Sequence, residues 1–377
     1  MGMKVLYYLD SLGRGGAEMQ ALDVCRNAGR HDIHITLVTG RGGPLEADFA
    51  DSGADLIRLE RRFPVDLYLA SQIRKIIKEE GIEIVHGYQA VDGLHLQLAA
   101  RGLRRVKKVL SFQGFVEDRK NRLALQYLIP RMDTNIVVSR GLQDWLERHA
   151  RIKVRSRSVV IYNGADPERL RPSGRSIREE TGVEAAAPLI GMVGNFYRDP
   201  RKDQLTVVKA MPAVLEEFPN ATLVFAGGVE DGAEDKFADC VNFCIEHGLT
   251  ERVHFLGARA DVPDILSELD IFVFSSLQEG LPVAVSEAML AGVPLIVSDI
   301  GPLLEATQEG EYASVFPVGD AGGLSWSMRD LLRDNDRPRE LAEKAKEFAL
   351  ANFSIDAHLR ELRSLYESLL SGDSANK

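Results

Sequence analysis

The stretch Ser275-Ser276-Leu277-Gln278-Glu279-Gly280-Leu281-Pro282-Val283-Ala284-Val285-Ser286-Glu287 carries two carboxylates eight residues apart. It follows an unbroken apolar run, Ile271–Phe274, so Glu279 and Gly280 fall in the loop at the carboxyl end of a buried strand. Pro282 suits the first turn of a following helix, and that helix would carry Glu287. Carboxylate oxygens so placed are good acceptors for the vicinal hydroxyls of a sugar or a ribose. A solvated loop glutamate beside a helix-surface one is the competing reading of these two residues taken alone. A second stretch, Ser11-Leu12-Gly13-Arg14-Gly15-Gly16-Ala17-Glu18, lies between an apolar run and a helical pattern. Strand, glycine loop and helix N-terminus aim backbone N–H groups at an anion, although any such turn can be glycine-rich. The spacing is not G-x-G-x-x-G, and the second strand ends Thr39-Gly40 without an acidic residue for a ribose. A dinucleotide site is therefore not indicated.

Such loops need a parallel sheet behind them. Short β-rich apolar runs alternate with amphipathic helical stretches, the pattern of parallel strands joined by crossover helices. The first half predicts strands at Lys4–Leu9, Ile33–Thr39, Leu56–Leu59, Ile84–His86, Lys108–Phe112, Thr134–Val138 and Ser158–Tyr162, with helices such as Ala17–Ala28, Leu67–Glu80 and Leu142–His149. Residues 163–187, with Pro167, Pro172 and Gly174 and then Pro188, break the rhythm and mark a domain boundary. Strands resume at Leu189–Val193, Thr222–Ala226, Val253–Phe255, Ile271–Phe274, Leu295–Ser298 and Ala313–Phe316. Lys202–Glu217, Asp235–Glu246, Ser286–Ala291 and Ala321–Leu332 supply helices, and Arg337–Asn352 and Ile355–Leu370 close the chain. The expected fold is α/β, two Rossmann-like doubly wound parallel-sheet domains facing across a cleft. Residues 1–165 plus a C-terminal helix at about 355–377 would form one, and 166–354 the other. Ligands of such folds sit at the carboxyl ends of the strands, so the cleft is the expected site.

At 377 residues, 45% hydrophobic and 27% charged, the chain has the make-up of two globular domains and not of a disordered one. No apolar run approaches the roughly 20 residues that span a bilayer. The first apolar stretch, Val5–Leu9, is closed by Asp10, unlike a secretory signal, so the expected address is cytoplasmic. Cys240 and Cys244 would share a helix face, and with Cys25 they read as buried small hydrophobes, since no further Cys or His completes a ligand set. The net charge of −10 conceals an asymmetry: 29 Lys and Arg against 21 Asp and Glu in residues 1–175, and 17 against 35 thereafter. An anionic partner is more natural for the first half.

Glu279 and Glu287, with Gly280, Pro282, Ala288, Ala291, Gly292 and Pro294, resemble the E-x7-E signature of family 4 glycosyltransferases. These are retaining enzymes of the two-Rossmann-domain architecture called GT-B. The resemblance runs over nearly the whole chain. Gly15-Gly16-Ala17-Glu18 is similar to the family's N-terminal glycine loop. Val193-Gly194-Asn195 with Lys202-Asp203 is similar to its central phosphate site, and Phe255-Leu256-Gly257 to the turn beside the base. Phe353-Ser354 opens a helix like the one that returns to the first domain. The resemblance implies that Glu287 holds the ribose of a UDP- or GDP-sugar and that Glu279 and the N–H groups around Gly280 and Leu281 contact the transferred sugar. It implies Lys202 on the diphosphate, with Gly15 and Gly16 closing over the same phosphates. A departing nucleoside diphosphate needs fixed positive charge and helix N-termini, and not necessarily a metal. The chain lacks an obvious Asp-x-Asp pair at a loop that would hold Mg²⁺, and no cofactor beyond the donor is expected.

Two positions depart from the family. Asn195 stands where an arginine usually provides a second phosphate cation, and Arg198 or Arg201 is the candidate replacement. Gln113 stands where a histidine is common; it can hydrogen-bond a sugar but exchanges no proton at neutral pH. His86, at another strand end, is either a substitute or an interior histidine. Basic clusters at Arg101, Arg104, Arg105, Lys107 and Lys108, at Arg119, Lys120 and Arg122, and at Arg151, Lys153, Arg155 and Arg157 read as solvated faces or as a peripheral dock on anionic membrane, at the inner face of the cell membrane. No nucleic-acid motif accompanies them. The expected activity is transfer of a hexose or N-acetylhexosamine to a glycan or lipid-linked acceptor. A nucleotide-sugar epimerase of the same fold, or a non-catalytic nucleotide-sugar-binding protein, is the alternative.

Overall fold

The apolar runs become strands within a residue or two of the predicted limits. The computed structural model describes residues 2–116, 118–199, 201–334 and 336–372. Its first sheet is built from β1 (Met3–Leu9), β2 (Ile33–Thr39), β3 (Asp55–Arg58), β4 (Ile84–Gly87), β5 (Lys107–Phe112), β6 (Thr134–Val137) and β7 (Ser158–Val160). They pair in parallel in the order β3-β2-β1-β4-β5-β6-β7. Side chains along β1 alternate between two apolar layers, as a strand's period of two requires. Val5, Tyr7 and Leu9 pack with Ala21 and Val24 of helix Gly16–Asn27 and with Leu359, Leu362 and Tyr366 of helix Ile355–Ser371. Leu6 and Tyr8 pack with Leu69, Ile73 and Ile77 of helix Leu67–Glu79 and Leu96 of helix Ala90–Ala99. With both faces covered, the strand is apolar and buried from Val5 to Leu9.

The second sheet holds β8 (Leu189–Val193), β9 (Thr222–Ala226), β10 (Val253–Phe255), β11 (Ile271–Phe274), β12 (Leu295–Ser298) and β13 (Ser314–Phe316). Its order is β10-β9-β8-β11-β12-β13, again parallel. The chain divides into two compact units, Met1–Ala165 with Ile355–Lys377, and Asp166–Ser354. Where it leaves and re-enters the first unit, Ile355 N donates to Ala165 O at 2.8 Å. The returning helix is amphipathic: Ile355, Leu359, Leu362 and Tyr366 are buried at helical spacing on the first unit's core.

In each sheet the strand order reverses beside the first strand, between β1 and β4 and between β8 and β11. Connections there leave on opposite faces, so a crevice opens at the carboxyl ends of those strands. Cys25, Cys240 and Cys244 are buried free thiols in the two cores. Burial pushes the Cys240 thiol up to about 12. No helix among the described residues is long and apolar enough to cross a membrane.

Candidate functional site

The loops after β8, β9 and β11 are knitted together at the second unit's reversal point. Gly194 N donates to Ala226 O (2.9 Å), Phe196 N to Gly228 O (2.9 Å) and Glu230 N to Phe196 O (3.0 Å). The approach is so close that a Cβ on Gly227 would lie 2.2 Å from Gly194 O, so only glycine fits there. Asn195 lies at the junction. Its Oδ1 accepts from Gly228 N at 2.9 Å, and its carbonyl accepts from Gln204 Nε2 at 3.1 Å. The loop after β8 also meets the loop after β11: Leu277 N donates to Arg201 O (2.7 Å) and Asp203 N to Ser275 O (3.1 Å). Lys202 and Ser276 form an antiparallel bridge between them.

This bridge delivers Lys202 to Glu279. The ammonium pairs with Glu279 Oε1 and lies 3.9 Å from the centre of the Phe274 ring. Gly194 leaves room for the lysine stem, since a Cβ there would be 3.3 Å from Lys202 Cε. Ser276 Oγ reaches the same Glu279 oxygen at 2.7 Å and is fixed through Ser298 of β12, whose Oγ accepts from Ser276 N at 3.0 Å. The two charged side chains are only 7% and 10% exposed. Burial pulls the Lys202 ammonium below its ordinary range, opposed by the Glu279 charge.

The helix after this loop runs Val283–Ala291, opening three residues before the predicted Ser286, and Pro282 stands just outside its first turn as the N-cap, with extended backbone. No side chain caps it, so its first N–H groups lack a side-chain acceptor. The helix after the β8 loop differs. It starts at Gln204, not Lys202, and Asp203 caps it by accepting from Thr206 N at 3.2 Å. Glu287 lies in the second turn of Val283–Ala291, buried, with Oε1 2.6 Å from Arg169 Nη2. Gly280 and Leu281 are buried in the turn between the two glutamates.

The basic loop after Phe196 sorts its two arginines. Arg201 is engaged by Asp199 (Nε to Oδ1 2.7 Å) and stacks over Tyr197, with its guanidinium carbon 4.6 Å from the ring centre. Lys236 Nζ donates to Tyr197 O at 2.9 Å and also holds Asp199 O. Arg198 is exposed and makes no ion pair among the described residues; only its backbone N is held, by Glu230 Oε2 at 3.0 Å.

Four predicted positions lie in the first unit, Gly15, Gly16, Gln113 and His86. Gly15 is the N-cap of helix Gly16–Asn27, whose N-terminus has no side-chain cap. Gln113 follows β5, and its Oε1 accepts from Asn163 Nδ2 at 2.9 Å. His86 is an interior histidine, not a substitute at Gln113. It is 1% exposed and bonded to Tyr366 Oη (2.6 Å) and Ser111 Oγ (2.7 Å), and burial pushes it down to about 3. Sequence reasoning missed Arg169, Ser276 and Gly227. A glycine pair closing a strand was a visible signal for Gly227, whereas nothing local links Arg169 to a glutamate 118 residues away.

Two parallel sheets of this strand order, each with its crevice at the carboxyl ends, have the GT-B architecture. Residues 14–169 match the family described as Glycosyltransferase Family 4, and residues 174–348 that described as Glycosyl transferases group 1. The chain belongs to glycosyltransferase family 4. It is 25% identical over 323 residues to the N-acetyl-alpha-D-glucosaminyl L-malate synthase of Bacillus anthracis, covering 83% of this chain and 82% of that protein. It is 27% identical over 283 residues to the UDP-Gal:alpha-D-GlcNAc-diphosphoundecaprenol alpha-1,3-galactosyltransferase of Escherichia coli, 71% of each. Its fold is shared by Anabaena Alr3699/HepE, solved in complex with UDP and glucose, with a TM-score of 0.83 at 20% identity over 97% of this chain and 100% of that one.

Proposed function

We propose that this glycosyltransferase moves a hexose or N-acetylhexosamine from a UDP- or GDP-sugar, with retention, to a glycan or lipid-linked hydroxyl in polysaccharide or lipopolysaccharide assembly. The observation that carries this reading is the buried Lys202–Glu279 pair beside the uncapped start of Val283–Ala291. An anionic diphosphate suits the vacant N–H groups of that helix and the Lys202 ammonium, with the unpaired Arg198 as second cation. Glu279, with Gly280 and Leu281, receives the sugar hydroxyls, and Glu287 the ribose diol. In the transfer the acceptor oxygen attacks the anomeric carbon on the face the diphosphate leaves. The anomeric C–O bond breaks, and the acceptor proton passes to the departing phosphate oxygen. Lys202 and the helix N-terminus bind the charge that accumulates there without the site having to reorganise. Gln113, with its carbonyl held by Asn163, contributes hydrogen bonding and no proton.

The Escherichia coli relative is named for a UDP-galactose donor and a diphosphoundecaprenol acceptor, and HepE holds UDP; both support a nucleotide-sugar donor. The basic helix Arg119–Leu128, which exposes Leu123 and Tyr127, supports a peripheral dock on anionic lipid for the first unit. Failure of anionic liposomes to sediment the protein at moderate salt would remove that part.

A thermal-shift panel of UDP, GDP, ADP and their sugars tests the core of the reading. A nucleotide at a hundred times its Kd adds about 2.7 kcal/mol of stability. Glu279→Ala is expected to keep the response to free nucleotide and to lose transfer. Donor consumed in the absence of acceptor would favour an epimerase, and a panel in which no nucleotide moves the midpoint sinks the proposal.

A further inference from the structure

We infer that Arg169 is the positioning residue for ribose recognition, holding the Glu287 carboxylate in the orientation that meets a vicinal diol. The inference rests on the ribose role proposed above for Glu287. Arg169 Nη2 lies 2.6 Å from Glu287 Oε1, with the two side chains 16% and 9% exposed. A charge-assisted bond so well screened from water is strong and directional. Arg169 is not on a helix or strand, yet its backbone is fixed on both sides. Arg169 N donates to Asp166 O at 3.1 Å and Leu170 is buried. Four residues on, Asp264 accepts from Ser173 N (2.7 Å), Gly174 N (2.8 Å) and Arg175 N (3.1 Å), and from Ser173 Oγ (2.9 Å). A rigid segment thus presents a guanidinium to a carboxylate on a buried helix turn. That holds Glu287 Oε1 in place before any ligand arrives, and a preorganised acceptor is what discrimination between a diol and a single hydroxyl demands.

Calorimetric titration of the full-length protein with UDP and 2′-deoxy-UDP, and with GDP and 2′-deoxy-GDP, tests this. Wild type is expected to bind the ribonucleotide of its cognate base about tenfold tighter than the deoxy form, the cost of leaving a buried acceptor without its donor. In Arg169→Gln that ratio is expected to fall to about twofold. Arg169→Lys, which keeps the charge but not the fork, should lie between, and it carries the test if the glutamine variant does not fold. A residue that merely anchored the segment would weaken both nucleotides alike. A tenfold wild-type ratio that survives in Arg169→Gln overturns the positioning role alone. A wild-type ratio near one overturns the ribose role of Glu287 and this inference with it.

Discussion

Replacing Lys202 with methionine withdraws the ammonium from a side-chain site 7% exposed and leaves the Glu279 carboxylate buried, with the Ser276 hydroxyl still donating to it. Breaking a buried ion pair from one side costs about 3–5 kcal/mol. In a unit of this size each kcal/mol moves a melting midpoint by about 2–4 °C, so a 3 kcal/mol loss is expected to lower the second unit's midpoint by roughly 6–12 °C. Glu279→Gln should behave differently. Burial is the largest influence on Lys202 and lowers its pKa, while Glu279 is what raises it. Without Glu279 the folded ammonium releases its proton more readily, whereas the unfolded lysine keeps its proton to about pH 10.4. The unfolded state then binds more protons in that window, so Glu279→Gln is expected to gain stability as pH rises from 7 to 9, more than wild type does. The double variant Lys202→Met/Glu279→Gln has no stranded charge and should recover most of the single lysine loss, while responding to no nucleotide diphosphate. Scanning calorimetry is the measurement. A Lys202→Met midpoint within 2 °C of wild type, or a double variant no more stable than Lys202→Met, would show that the pair does not bear on this loop's stability.

Two further outcomes follow from buried polar groups. His86 and His358 are buried and neutral, pushed down by burial to about 3 and about 4. Unfolded histidine binds a proton near pH 6.5, so below that the unfolded first unit gains protons the folded one refuses, and stability falls towards a limiting slope of about 1.4 kcal/mol per pH unit per histidine. Both together predict about 3 kcal/mol lost between pH 6.5 and 5; urea titrations should show His86→Gln/His358→Gln losing correspondingly less, and equal acid sensitivity would be fatal to the argument. Asp264→Ala removes the acceptor for four hydrogen bonds from Ser173, Gly174 and Arg175 and is expected to cost about 3 kcal/mol. Limited proteolysis within residues 171–176 reads this directly, and an unchanged cleavage rate would count against the clamp.

Most of the fold was legible because a parallel sheet covered on both faces writes itself as unbroken apolar runs; Ile271–Phe274 and Leu295–Ser298 match their strands residue for residue. Ends were less legible where the cap sets them. Asp203 starts a helix two residues after Lys202, and Pro282 stands outside the helix it was expected to open, because capping depends on backbone geometry the periodicity does not carry. The glutamates and Lys202 were recognisable as motif residues, but their mutual arrangement was not. Lys202 and Glu279 are 77 positions apart, and Arg169 and Glu287 are 118 apart. Such pairs exist only once the strands have set their register.

The departures at Asn195 and Gln113 have a common physical character. Each side chain is committed to a neighbouring group: Asn195 to Gly228 N, Gln113 to Asn163 Nδ2. An asparagine is short enough to accept from the next strand's loop at 2.9 Å, and in doing so it closes the loop after β8 onto the loop after β9 where Gly227 admits no side chain. An arginine at 195 would bring a cation, but its side chain has no acceptor with which to take up the Gly228 N–H. Asn195 therefore contributes a fixed contact between the two loops and no charge. Positive charge is left to Lys202, fixed by Glu279, and to Arg198, the arginine of its loop that Asp199 does not hold. In the proposed site this leaves one cation buried and paired and one exposed, to meet an anion whose charge grows as it leaves.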